Sequence, residues 1–403
     1  MKILLLNTLY PPSQVGGAER SLEVLSRGLS NSACNITVIC LTDGADVTEC
    51  RDGVTVHRLA HGNLYWPYDG VRHTMLSRIG WHAQDAGAFK RQAKVAQILD
   101  ETAPDIVHTN NLTGFGSQII PLVKSRGMPV LHTLRDFGLL CSRSSLFKNL
   151  HDCDSHCLSC RMLTARKRSA ASAIDLVVGN SEYMIDRHRE MGLFHDVPSR
   201  VIYNAVPGIL DRRPDVTSQS VGATLHLGYA GAIKPEKGVE VLLEAMRRIG
   251  LGNWRLSIAG TGDEEYVSSL KRDHADLPID WLGFVPVEPF LDQIDLMVIP
   301  SIWPEPMPRT LIEAMSHWLP TIVSDAGGSP EVAAMYPNAK VYHRRDVQAL
   351  ADMLASAIAA PSARRAVDKS TLQTFSVERL VENYLAAYRE TIAIYRRGGD
   401  HHG

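Results

Sequence analysis

Short runs rich in β-branched residues alternate along the chain with stripes of helical period. In the first half the runs are "KILLL" (2–6), "ITVICL" (36–41), "VTVHRL" (54–59), "DIVH" (105–108), "PVLH" (129–132), "DLVVG" (175–179) and "RVIYN" (200–204). Between the first two, Ala18, Leu22, Leu25 and Leu29 recur at steps of four, three and four, the spacing of one buried helix face. Strand, helix, strand in succession predicts right-handed parallel crossovers. The alternation stops over 207–222, "PGILDRRPDVTSQSVG", which is polar, turn-rich and aperiodic and reads as a linker. It resumes with runs at 225–230, 254–260, 279–283, 295–300, 320–325 and 339–343, and with a helical stripe at Val239, Leu242, Met246 and Ile249. The pattern predicts an α/β protein of two Rossmann-like domains, residues 1–206 and 223–375, followed by a helix over about 376–395. Open parallel sheets bind ligands beyond the carboxyl ends of their strands, so the expected site is a cleft between the two domains.

A length of 403 residues agrees with this division. Forty-two Lys and Arg against 44 Asp and Glu leave a net charge of −2, which offers no global field to attract nucleic acid. No run approaches the ~18 apolar residues of a membrane span. The opening "MKILLLNTLYPP" has too short an apolar run for a signal-peptide core. A cytoplasmic protein is expected, with local basic patches that suit the inner face of a membrane.

The richest stretch for chemistry is 295–332, "DLMVIPSIWPEPMPRTLIEAMSHWLPTIVSDAGGSPEV". A strand ends in a Pro-rich turn carrying Glu305, and a helix is expected to begin near Pro308, a good first-turn residue. Glu313 falls on that helix, and the backbone N–H groups near 307–310, around Arg309 and Thr310, suit phosphate or developing negative charge. Two solvated glutamates at a helix start are the alternative. Gly327 and Gly328, at the next strand-to-helix turn, permit close backbone approach or positive φ.

Here the chain resembles the family 4 retaining glycosyltransferases of the GT-B fold. The matching residues are Pro300-Ser301, Glu305, Glu313-Ala314, Pro320, Gly327-Gly328 and Glu331. "YPPSQVGGAER" (10–20), "VIYNAV" (201–206), "YAGAIKPEKGVEVLLEA" (229–245), "LSIAGTGDEE" (256–265) and "WLGFVP" (281–286) extend the likeness along almost the whole chain. The resemblance implies a nucleotide-sugar donor on the second domain and a glycan or polyprenyl-diphosphate-linked acceptor on the first. It also implies that the last helix crosses back to the first domain and that no cofactor is required. Glu305 would contact the hydroxyls of the donor sugar, Glu313 the ribose, and Lys237 the diphosphate, with Gly231 in the same donor motif. Gly16 and Gly17 would approach the phosphates or sugar through their N–H groups.

Two departures stand out. Where many relatives have an arginine after the glycine of the donor motif, this chain has Ala232, so Lys234 or Arg309 must supply that charge; Arg309 is favoured because it lies between the two glutamates. Where relatives read Thr-Leu-His-Asp, it reads Thr133-Leu134-Arg135-Asp136, so Arg135 and Asp136 are expected to line the cleft with His132 close by. His108, Asn110 and Asn111 are further rim candidates. A nucleotide-sugar epimerase or phosphorylase of the same architecture, or a non-catalytic nucleotide-sugar-binding subunit, are the rival readings.

The cysteines are a separate matter. Cys153, Cys157 and Cys160 form C-x3-C-x2-C with Cys141 twelve residues earlier, a set that suits a closed, structural Zn²⁺ site stapling an insertion over about 138–160. Reduced thiols or one transient disulfide are the alternative. The basic stretch of Arg161, Arg166, Lys167 and Arg168 suits anionic lipid, a diphosphate or plain solvation. Tyr65, Trp66, Tyr68 and Trp81 suit a sugar platform, a membrane-contact loop or ordinary packing.

Overall fold

The computed structural model describes residues 1–13, 16–71, 73–87, 90–212 and 224–399. The chain forms two compact units, one of Met1–Leu146, Cys153–Ala205 and Val377–Gly403, the other of Phe147–Asp152 and Val206–Ser376. The two units divide at Ala205/Val206, where the expected boundary stood after residue 206. Most of the expected linker lies outside the described residues, since 213–223 are not among them.

The chain runs through β1 (Lys2–Leu6), β2 (Asn35–Thr42), β3 (Val47–Arg51), β4 (Val54–Ala60), β5 (Ile106–Thr109) and β6 (Val130–Leu134). A hairpin of β7 (Phe147–Lys148) and β8 (His151–Asp152) groups with the second unit, and β9 (Leu176–Gly179) and β10 (Ser199–Val201) return to the first. The sheet order is β10-β9-β6-β5-β1-β2-β4-β3, parallel except for the β3–β4 pair. The central strands β5, β6 and β9 are buried at every position, because helices cover both faces of a parallel sheet. That is why they show no regular alternation of apolar and polar positions, and why His108, Thr109, His132 and Thr133 are buried along with their apolar neighbours.

The expected helical stripe is the inner face of the helix Gly17–Asn31, with Leu22, Leu25 and Leu29 fully buried. The last helix, Val377–Gly399, packs on it so closely that a Cβ at Gly28 would lie 2.6 Å from Val381 Cγ2. Tyr384 and Tyr388 of this helix sit in the core of the first unit.

The second unit holds β11 (Leu225–Ala230), β12 (Trp254–Ala259), β13 (Ile279–Gly283), β14 (Leu296–Ile299), β15 (Thr321–Ser324) and β16 (Ala339–Tyr342), all parallel in the order β13-β12-β11-β14-β15-β16. The strand order reverses between β11 and β14, so the loops after those two strands diverge and leave room for a ligand. No described helix is long and apolar enough to cross a membrane.

Candidate functional site

The two strands at the switch point of the second unit deliver the principal side chains. After β11 the chain makes a 3-10 turn, Pro235–Lys237, and ends it at Gly238 in the left-handed region, φ 72°. A Cβ at Gly238 would stand 1.9 Å from the Pro300 carbonyl oxygen at the end of β14, so only glycine lets the two loops touch. The Glu236 carbonyl accepts from Ile302 N–H at 3.0 Å and fixes the contact. Lys237 is thereby aimed at Glu305, Nζ to Oε1 2.5 Å, while its ammonium lies 5.0 Å from the centre of the Trp303 ring. Ser301 Oγ donates to the same Glu305 oxygen at 2.6 Å. Glu305 is buried, and its backbone is clasped from behind: Gly328 N–H donates to Glu305 O at 2.8 Å, and a Cβ at Gly327 would lie 2.1 Å from that oxygen. The two glycines give the close backbone approach their spacing suggests.

The helix that follows is Arg309–Ser316, with Pro308 immediately before it rather than inside its first turn. Glu313 is buried one turn in, and Arg309 Nη2 donates to Glu313 Oε1 at 3.4 Å. The expectation that Arg309 supplies diphosphate charge therefore meets a guanidinium that is buried and turned onto Glu313. Lys234 is exposed, and its side chain carries no hydrogen bond or ion pair among the described residues. Thr310 is half-buried, and the first turn of any helix leaves N–H groups without intrahelical partners. Gly231 is exposed directly after β11, with its N–H donated to Ala259 O at 3.0 Å.

The first unit also gathers polar groups at its strand ends. Arg135, just after β6, donates from Nε to Asn110 Oδ1 at 2.8 Å and from Nη1 to Asn204 Oδ1 at 2.9 Å. Asn180 follows Gly179, the register partner of Leu134, so it stands beside Arg135 in the row. Asn110 Nδ2 and Asn180 Oδ1 are buried and have no hydrogen-bond partner among the described residues. Asp136 accepts from Gly138 N–H at 2.7 Å, and burial raises its carboxyl to about 6. Asn110 was a rim candidate, but Asn180 and Asn204 are invisible to local sequence reasoning, because the parallel crossovers bring them in from distant segments.

Two histidines differ from expectation. His132 is buried against Thr109 Oγ1, Nδ1 at 2.8 Å, and burial lowers it to about 3, so it is a neutral sheet residue. His108 is wholly buried rather than on a rim: Nδ1 meets Tyr388 Oη at 2.8 Å and Nε2 meets Thr133 Oγ1 at 2.7 Å. Gly16 and Gly17 are exposed at the first helix start, but Gly16 N–H donates to Glu19 Oε2 at 3.0 Å, which occupies the donor expected for a ligand.

Of the four clustered cysteines, Cys141 and Cys160 meet at Sγ–Sγ 3.8 Å, while the Cys157 thiol lies 3.2 Å from Ser159 Oγ at an exposed helix start. Among the described residues no group of three or more His, Cys, Asp or Glu side chains is placed to hold a metal ion. In the basic stretch, Lys167 is committed to the buried Asp85, whereas Arg161 and Arg166 are exposed.

Two doubly wound parallel sheets in succession, the second with an acidic pair and a lysine at its switch point, mark a glycosyltransferase of the GT-B fold. The comparisons agree. The description "Glycosyl transferases group 1" matches residues 220–373 and "Glycosyltransferase Family 4" matches residues 15–207, and the chain belongs to this family. An uncharacterized 42.6 kDa protein in the cps region of Klebsiella pneumoniae is 29% identical over 390 residues, 96% of this chain and 100% of that one. The lipopolysaccharide core biosynthesis mannosyltransferase LpcC of Rhizobium leguminosarum bv. viciae is 26% identical over 251 residues, 58% of this chain and 69% of its own. The crystal structure of Anabaena Alr3699/HepE in complex with UDP shares the fold, with TM-score 0.71, 19% identity and coverage of 97% of this chain and 100% of that one.

Proposed function

We propose that the chain transfers a sugar, with retention of anomeric configuration, from a nucleoside-diphosphate sugar to a glycan or polyprenyl-diphosphate-linked acceptor in surface polysaccharide or glycolipid synthesis. The observation that carries this reading is the Ser301–Glu305–Lys237 cluster at the β11–β14 switch point. Glu305 accepts from the hydroxyls of the donor sugar, and Glu313, steadied by Arg309, accepts from the ribose. Lys237 meets the diphosphate, with the exposed Lys234 as the second cation. The UDP of the Alr3699/HepE complex and the name of LpcC support a nucleotide-linked donor and a polysaccharide setting.

The chemistry then needs little else from the protein. The bond between the anomeric carbon and the diphosphate oxygen breaks, and its electron pair stays on the diphosphate. The acceptor oxygen forms its bond from the same face, and its proton passes to the departing diphosphate oxygen. An ammonium beside that oxygen stabilises the charge as it develops, so the step requires neither a protein base nor a divalent ion. The proposed setting is the cytoplasmic face of a membrane.

A thermal-shift screen against UDP-, GDP- and ADP-sugars, followed by product detection, tests the reading. One class of donor should raise the Tm, and turnover of that donor should fall by about 10²–10³ or more in Glu305→Ala. Unchanged turnover in Glu305→Ala would overturn it.

A further inference from the structure

The buried charges of this chain are, as a rule, matched by opposite ones. Arg58 has Glu49, Asp85 has Lys167, Glu305 has Lys237, and Arg309 and Glu313 have each other. Arg135 differs. It is 8% exposed, and among the described residues no carboxylate pairs with its guanidinium. Asp136, its neighbour in the chain, accepts instead from Gly138 N–H. The acceptors that Arg135 does have are neutral amide oxygens, Asn110 Oδ1 for Nε and Asn204 Oδ1 for Nη1. Nη2 has no protein acceptor among the described residues. A cation taken out of water is costly unless an opposite charge meets it, so this guanidinium is completed by an anion.

The groups on either side narrow the choice of anion. Asn110, Arg135 and Asn180 each stand one residue beyond the carboxyl end of a strand, namely β5, β6 and β9, and those strands are neighbours with β6 in the middle. The arginine is thus flanked by two asparagines at the end of a parallel sheet where ligands enter. Asn110 Oδ1 is occupied by the arginine, which fixes Nδ2 as a donor, and that Nδ2 is buried without a partner. On the other side Asn180 Oδ1 is a buried acceptor without a partner. Buried polar atoms are ordinarily satisfied, so the row lacks acceptor oxygens for Arg135 and Asn110 and a donor for Asn180. An ionised diphosphate brings acceptors only and leaves Asn180 Oδ1 unfilled. A sugar that bears a carboxylate brings both, the carboxylate oxygens and a ring hydroxyl.

We propose that Asn110, Arg135 and Asn180 bind the carboxylate and an adjacent hydroxyl of an acidic sugar, so that a hexuronate is part of the substrate. The carboxylate accepts from Arg135 Nη2 and Asn110 Nδ2, and the hydroxyl donates to Asn180 Oδ1. No bond is made or broken at these groups; they select by charge. The proposal rests on the reading of the chain as a glycosyltransferase and names the class of sugar it handles. Such a sugar arrives on the nucleotide donor or at the end of the acceptor, and the two arms of the experiment separate these sources.

Binding to the full chain is measured by calorimetry with pairs of ligands that differ only in a carboxylate against a hydroxymethyl group. The donor arm pairs UDP-glucuronate with UDP-glucose, UDP-galacturonate with UDP-galactose, and GDP-mannuronate with GDP-mannose. The acceptor arm pairs the methyl glycosides of the same acidic and neutral sugars. In one arm an acidic member should bind at least about tenfold more tightly than its neutral partner, the worth of one charge-assisted contact. Arg135→Gln should bring that ratio to about one, and Asn180→Leu should lower it about threefold or more. The thermal shift by UDP, GDP or ADP should persist in both variants, which shows that they are folded. Equal binding of acidic and neutral members in both arms, or a ratio that survives Arg135→Gln, would overturn the proposal. So would inorganic pyrophosphate that competes as tightly as the acidic sugar. Discrimination among methyl glycosides that is lost in Arg135→Gln, in a chain that gains no stability from any nucleotide sugar, would uphold this site and defeat the donor reading.

Discussion

Glu305 receives an ammonium and a hydroxyl on one carboxylate oxygen, and its backbone carbonyl receives the Gly328 N–H. Each partner is drawn from a short, recognisable segment: Ser301 four residues before, Gly327-Gly328 after the next strand, Lys237 after β11, the neighbour of β14 in the sheet. That locality is why this cluster was legible in the sequence. The first unit was not, because the groups that hold Arg135 are Asn110 and Asn204, which come from other crossovers. His132 gives the residue scale its own prediction. Its folded value of about 3 lies below the ~6.5 of an unfolded histidine. Between those values the unfolded chain holds the extra proton, so stability is lost as pH falls below about 6.5. Asp136, raised to about 6, acts in the opposite sense, since the folded chain holds its proton and stability from that group falls as pH rises from about 4 to about 6. Urea unfolding midpoints between pH 7 and 4 should decline less steeply in His132→Gln than in the wild type. Parallel declines would contradict the assignment.

At the scale of elements, the buried strands declared themselves by short runs rich in β-branched and apolar residues, and the helices by their stripes. β3 did not. Its sequence, "VTECR", is exposed at four of five positions and has no buried face to impose a pattern. It is an antiparallel edge strand, and Glu49 accepts from Arg58 Nε at 3.0 Å across the pair. Arg309 is engaged within its own helix: one turn separates it from Glu313, and i,i+4 pairing of opposite charges draws the two together. The loop joining β11 to its helix supplies the test at this scale. Gly238→Ala places a Cβ against the Pro300 carbonyl at a positive φ. The substitution should cost about 1–3 kcal/mol in denaturant unfolding and should displace Lys237 from Glu305, with loss of donor turnover. A variant with wild-type stability and turnover would show that the two loops need not touch.

For the molecule as a whole, the break in alternation near residue 207 lies beside the division of the units at Ala205/Val206. The hairpin Phe147–Asp152 did not announce that it groups with the second unit, where Arg344 Nη1 donates to Asp152 Oδ1 at 3.2 Å. The last helix is where a single bond reports on assembly of the first unit. Tyr388 Oη and Thr133 Oγ1 satisfy the two nitrogens of His108, and desolvation holds that imidazole well below its ordinary pKa, hence neutral. Tyr388→Phe leaves one buried nitrogen unpaired and should cost about 1–3 kcal/mol of stability, measured by denaturant unfolding, with donor binding retained. No loss of stability would mean that the helix is held by apolar contact alone.

The measurement that bears most directly on the whole account is calorimetric titration of wild type and Lys237→Ala with UDP-, GDP- and ADP-sugars. The wild type should bind one nucleotide class, and Lys237→Ala should bind it about 10–100-fold more weakly, the worth of one charge-assisted contact to a diphosphate. Equal affinity in the two proteins would contradict the account.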